Sequence, residues 1–126
     1  MNFEVSFDHN RNIVSLRFIG TVNYDTLIGF LTYLFQHPEF TKGYDGICDT
    51  RDALLELSYE DLIKLRAWHE THAKEGELHG RLAILADTNL NFATSRMWEG
   101  VSAGYYKGLH VFKNEKDAYS WLQTSA

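Results

Sequence analysis

Five consecutive apolar residues, Leu82-Ala83-Ile84-Leu85-Ala86, run without any alternation of apolar and polar character and are closed by Asp87. Neither face of such a segment suits water, so as a strand it needs cover on both sides, as strands in helix-clad sheets have. A second run of the same kind, Gly46-Ile47-Cys48, is closed by Asp49. Thr50-Arg51-Asp52 then place polar groups where a central strand would hand over to a loop.

The chain opens differently. Phe3, Val5 and Phe7 alternate with polar residues, and Val14, Leu16 and Phe18 do the same as far as Gly20, with His9-Asn10-Arg11-Asn12 between them. Period-two runs joined by a short polar turn predict an antiparallel hairpin. Asn23 is placed to cap a helix carrying Leu27, Ile28, Phe30, Leu31, Leu34 and Phe35, which His37-Pro38 ends. That helix is apolar over more than a third of its circumference, so it is covered on two sides or leaves surface for a partner. Phe40 to Asp45 is the crossing loop.

Ser58-Tyr59-Glu60-Asp61 has the form of a capping box, with Asp in place of the commoner Glu. Its helix runs to about His72, with Tyr59, Leu62, Leu65, His69 and His72 or Ala73 on the inward stripe, and Lys74 to Gly80 is a polar connector. Asn89 or Asn91 caps a third helix, expected to turn Ala93, Met97 and Val101 inward and to end near Gly104. Leu109 to Phe112 is a short strand. Asn114 caps a last helix whose Ala118, Trp121 and Leu122 fold back on the sheet. The order is ββαβαβαβα: one α/β domain over residues 1–126, with a mixed sheet opened by an antiparallel hairpin and helices packed on it.

A chain of 126 residues can bury a sufficient core without disulfides or metal, and the single cysteine, Cys48, falls in an apolar strand where a small buried hydrophobe is expected. A net charge of -5 with no Lys/Arg cluster argues against nucleic-acid binding. No span long enough for a membrane and no export signal appear, so the expected location is the cytoplasm. Aromatic residues make up 14% of the chain, enough either to fill the core or to line an apolar pocket or contact surface as well.

Several segments carry a resemblance: Leu16-Arg17-Phe18-Ile19-Gly20-Thr21-Val22, Pro38-Glu39-Phe40, Asp49-Thr50-Arg51-Asp52, Leu57-Ser58-Tyr59-Glu60-Asp61-Leu62, Arg96-Met97 and Val111-Phe112. In order and spacing the chain resembles the STAS-like group of bacterial proteins, related to the anti-anti-sigma-factor domain and in fold to CRAL-TRIO lipid-transfer domains. The resemblance implies a regulatory module working by protein contact. It also implies a candidate phosphoacceptor at Ser58, since regulatory members carry a phosphorylated serine or threonine at the start of the helix after the central strand. In those members the context is Asp-Ser-Ser or Asp-Ser-Thr followed by Gly. Here Leu57 precedes Ser58 and Tyr59 follows, and capping alone accounts for the serine.

Asp49, Arg51 and Asp52, with Asp87 alongside and Arg96 on the third helix, form the candidate ligand-binding set, because open α/β sheets bind ligands at the carboxyl ends of their strands. Local turn capping and mutual pairing explain the same residues without a ligand. Arg96 pairs with Glu99 or a loop carboxylate, or else faces a ligand. His69 and His72 lie three apart near Glu70, Glu75, Glu77 and His79, but His69-Glu70-Thr71-His72 is one residue short of the zinc-protease motif. No metal and no cofactor are implied. The leading expectation is a non-enzymatic module that contacts a protein partner, a second copy included, or holds a small apolar, amphipathic or lipid-like molecule. The alternative is a small hydrolase or transferase using Asp49 and Asp52 or the His69/His72 pair.

Overall fold

The computed structural model describes residues 2–41, 43–72 and 80–124, the His72 side chain excepted. The elements are β1 (Asn2–Asp8), β2 (Ile13–Val22), α1 (Tyr24–Gln36), β3 (Asp45–Leu55), α2 (Tyr59–His72), β4 (Arg81–Leu85), α3 (Asn89–Val101), β5 (Gly108–Phe112) and α4 (Glu115–Leu122). They form a five-stranded sheet in the order β1-β2-β3-β4-β5. β1 and β2 are the antiparallel hairpin that the alternating runs predict, and β2 through β5 are parallel.

This strand order dictates where the helices go. Crossovers between parallel strands are right-handed, and three successive crossovers stepping the same way across a sheet set their helices on one face. α1, α2 and α3 accordingly share a core with Val14, Leu16, Phe18, Leu55 and Ile84. α4, which has no further strand to reach, folds back on the other face, where Ala118 and Leu122 pack with Ile13, Ile47, Ala83 and Leu85. β4 is thus covered on both sides, as its unbroken apolar run requires. α1 is also covered on two sides: Phe30 meets Phe3 and Phe18 edge-on from the sheet, and Phe35 stacks on Trp68 of α2.

β3 departs from expectation. It does not stop at Asp49 but continues through Thr50-Arg51-Asp52 to Leu55, paired with β2 across a bulge at which Arg17 opposes Asp49 and Ile19 opposes Asp52. β4 pairs only with Gly46 to Asp49, which leaves the second half of β3 unpaired on that side. Asn91 of α3 takes the place of the missing ladder. Its Nδ2 donates to the carbonyls of Thr50 and Ala53 at 3.0 and 2.9 Å, and its Oδ1 accepts from the Leu55 N–H at 3.1 Å. Buried backbone groups need partners, so a buried asparagine here completes the strand.

α3 is correspondingly rotated. Thr88, not Asn89 or Asn91, is its N-cap, and its buried residues are Asn91, Thr94, Ser95 and Trp98. Ala93 and Met97, expected inside, are exposed, and Val101 is half-buried. Tyr59, expected on the inward stripe of α2, is 58% exposed, whereas Leu62, Leu65 and His69 are buried.

Candidate functional site

The sheet's two faces differ in chemistry. On the α4 side, toward the start of that helix, the strands carry charges that pair with one another and with Glu115. Asp49 is buried and accepts from the Arg51 backbone N–H and Nε, both at 3.0 Å, and from Nη2 at 2.9 Å. Arg51 also reaches Glu115 of α4 at 2.8 Å. Burial alone would raise the Asp49 carboxyl, but the Arg51 hydrogen bonds outweigh it and hold Asp49 below the usual carboxylate range. Asp52 pairs with Arg17, which also holds Glu4.

The structure therefore places Asp49, Arg51 and Asp52 within β3 in two ion-pair clusters, Asp49 with Arg51 and Glu115 and Asp52 with Arg17 and Glu4, each with two carboxylates on one arginine, and not at the expected handover from strand to loop. Arg96 is not part of it: exposed on α3, it pairs with Glu99 at 3.1 Å. Asp87 stands exposed after β4, outside these ion pairs. Ser58 is exposed and caps α2 reciprocally, its Oγ accepting from the Asp61 N–H while Asp61 accepts from the Ser58 N–H.

The other face holds a cavity of about 160 Å³ between the sheet and helices α1, α2 and α3. Leu27, Phe30, Leu31 and Leu34 of α1 supply much of its apolar wall, with Leu16 and Ile84 of the sheet as its floor. Gly46 and Cys48 of β3 lie in the same floor; a Cβ at Gly46 would meet Leu82 Cδ1 at 3.1 Å, so it is the small thiol of Cys48 that leaves space a larger strand residue would fill. Cys48 is half-buried, and what it faces is this cavity. Burial pushes its thiol up to about 12, with Asp49 adding to the shift, so it stays protonated at neutral pH.

Polar groups enter the wall from α2, α3 and the chain after α3. His69 is 2% exposed and lies among the rings of Trp68, Trp98 and Tyr105. Its Nδ1 lies 2.8 Å from the Leu65 carbonyl, which can only accept, so Nδ1 carries the proton and Nε2 is left as the acceptor. Burial lowers the imidazole pKa and the Leu65 carbonyl opposes it only in part, so the ring is neutral. Burial likewise raises the Tyr106 phenol. Thr94 and Ser95 complete this side.

The His72 side chain lies outside the described residues, as do Glu75, Glu77 and His79, so the proposed histidine pair is represented by His69 alone. Among the described residues no group of three or more His, Cys, Asp or Glu side chains could hold a metal ion. No described helix is long and apolar enough to cross a membrane.

The cavity residues Cys48, His69, Thr94, Ser95 and Tyr106 share no motif. The readable signal is the helical spacing of Asn91, Thr94, Ser95, Trp98 and Ser102, a stripe of mostly polar residues that competes with the apolar stripe beside it.

No protein-family model and no curated protein matches the chain. Among solved structures it is similar to an uncharacterized protein of the DUF3478 family with a SpoIIAA-like fold from Shewanella loihica PV-4. The match has a TM-score of 0.59 at 16% identity and covers 95% of this chain and 93% of that one. At that identity the likeness is one of fold: the chain has a SpoIIAA-like, STAS-type fold, as its residue pattern implied.

Proposed function

We propose that this protein is a non-enzymatic binding or regulatory module that holds a small apolar or amphipathic molecule between its sheet and helices α1 to α3 and acts in the cytoplasm through protein contact. The cavity carries this reading. An apolar void of about 150 Å³ accepts a benzene-sized guest, and this cavity of about 160 Å³ is comparable. The cavity is partly open to solvent, so a guest has a way in, and its apolar wall is relieved of water when an apolar body enters.

The protein-contact half rests on exposed apolar groups: Tyr59 and Ile63 on α2, and Leu90 and Met97 on α3. The hydrolase or transferase alternative draws no support from the geometry. Asp49 and Asp52 are each bound to an arginine, His69 is enclosed by rings, and the Cys48 thiol is protonated. Whether Ser58 is a phosphoacceptor is a separate proposal, favoured only by its exposure at the start of α2.

Native mass spectrometry of freshly purified protein tests the ligand. The expected result is a mass excess lost on denaturation, equal to a molecule of about one ring. Repeated observation of the bare chain mass, with no change in melting temperature on adding benzene, would count against the reading.

A further inference from the structure

Serine and threonine inside helices commonly pass their hydroxyl to the carbonyl one turn back, and Thr32, Thr71 and Ser102 do so here. Thr94 and Ser95 do not. They are 4% and 3% exposed, yet neither hydroxyl has a hydrogen-bond partner among the described residues. No described buried side-chain oxygen or nitrogen is both sealed off and unpartnered, so these two hydroxyls open onto free space. Both residues line the cavity. A helix whose exposed side carries Leu90, Ala93 and Met97 thus turns two unpartnered hydroxyls toward a largely apolar cavity, whose other polar lining includes His69 and Tyr106.

The wall offers no charge to match this pair. Arg81 is the cation along it, and its guanidinium is committed to Asp45 at 3.2 Å and to the carbonyls of Leu122 and Thr124 at 2.5 and 3.0 Å. His69 is neutral. A buried charge without a counter-charge is strongly disfavoured, whereas a neutral hydroxyl or amide needs only hydrogen-bond partners.

We propose that the cavity takes an uncharged molecule of about single-ring size with one hydrogen-bonding head group, phenolic or alcoholic, and that Thr94 and Ser95 of α3 hold that head. This deepens the binding reading above and rests on it. The head donates to one hydroxyl oxygen and accepts from the other, while the body lies against Phe30 and Leu34 of α1. Carboxylate amphiphiles are excluded for want of a free cation.

The test uses three probes of nearly one shape, toluene, 4-methylphenol and 4-methylbenzoate, titrated at neutral pH into the full chain and followed by methyl chemical shifts. In a purely apolar void toluene binds best, because the phenol must give up its water. Here 4-methylphenol is expected to bind about fivefold to tenfold more tightly than toluene, the effect of one or two satisfied hydrogen bonds. The methylbenzoate is not expected to bind. In Thr94→Val/Ser95→Ala, which keeps shape and removes both hydroxyls, the order should reverse in favour of toluene.

Toluene binding as well as 4-methylphenol in the wild type would overturn the head-group assignment and leave the cavity reading standing. An unreversed order in the double variant would overturn the roles of Thr94 and Ser95. Binding of the methylbenzoate would overturn the demand for an uncharged head, and failure of all three probes would remove the cavity reading itself. Should the double variant not fold, the wild-type order alone decides.

Discussion

Replacing Cys48 by isoleucine separates a real void from a packed core by the sign of one number. Cys48 sits mid-strand in β3, between Leu16 of β2 and Ile84 of β4, and faces the cavity. Isoleucine suits a strand and, with three carbons in place of the sulfur, adds two heavy atoms net to the side chain. If the space is there, burying them stabilises by about 1.5 kcal/mol at about 0.8 kcal/mol per methylene. Were the helices and sheet already in contact, the same carbons would overpack the core and destabilise by about 1–3 kcal/mol. The two outcomes differ by roughly 3 kcal/mol. For a domain of this size the melting temperature should rise by about 5 °C in the first case and fall in the second. Urea unfolding followed by circular dichroism should show a higher midpoint at unchanged slope, so that the gain belongs to the folded state. The added carbons also occupy the guest's space, so 4-methylphenol affinity should fall as stability rises. A Cys48→Ile variant that melts lower than wild type would refute the cavity.

Protonation of His69 gives a pH signature. Because burial lowers its pKa below 6.5, an unfolded chain takes up a proton near pH 6 that the folded chain refuses, so stability is lost as pH falls below about 6.5. The slope contributed is at most about 1.4 kcal/mol per pH unit, and urea midpoints of His69→Phe from pH 7 to roughly pH 5 should be flatter by that amount; parallel curves would show that His69 titrates normally. Asn91→Ala should destabilise by about 3 kcal/mol or more, because it strands the Leu55 N–H and the Thr50 and Ala53 carbonyls inside the protein. A loss under about 1 kcal/mol would mean that β3 finds other partners. Ser58→Ala should cost about 1 kcal/mol as a lost N-cap, while Ser58→Asp, which still caps, should lie within a few tenths of wild type; equal losses from both would place the serine's role elsewhere.

The sequence was legible where structure is decided locally. Phe3, Val5 and Phe7 against Val14, Leu16 and Phe18 encode the hairpin by alternation, and Asn23 and Asn114 mark helix starts because their side chains accept from the third helical N–H. The SpoIIAA-like order followed from the succession of these elements. β3 departs from its pattern because its polar second half borders an open sheet face, and because the bulge at Thr50-Arg51 breaks the alternation that identifies a strand. The residue that satisfies that half, Asn91, is 36 positions beyond Leu55, so no local window contains the interaction. α3 departs from its apolar pattern for a related reason. Ala93, Met97 and Val101 form a valid apolar stripe, but the bonds from Asn91 to β3 fix the helix's rotation, and they turn Thr94 and Ser95 inward. The cavity lies deeper still, since a void belongs to the fit among four elements and to no motif.

The cavity and the two hydroxyls that bond to no carbonyl of their own helix meet at one place. The cavity of about 160 Å³ leaves an apolar wall against solvent, and the Thr94 and Ser95 hydroxyls on that wall have no protein partner among the described residues. A single occupant with an apolar body and one neutral head relieves both at once. At a hundredfold excess over its dissociation constant it stabilises the fold by about 2.7 kcal/mol, comparable with a large part of a small domain's margin. α3 would feel most of that difference, because it carries the hydroxyls inside and Leu90 and Met97 outside. Occupancy and the presentation of that outer surface are therefore properties of one helix, which is the physical route by which a bound molecule could govern a protein contact in this fold.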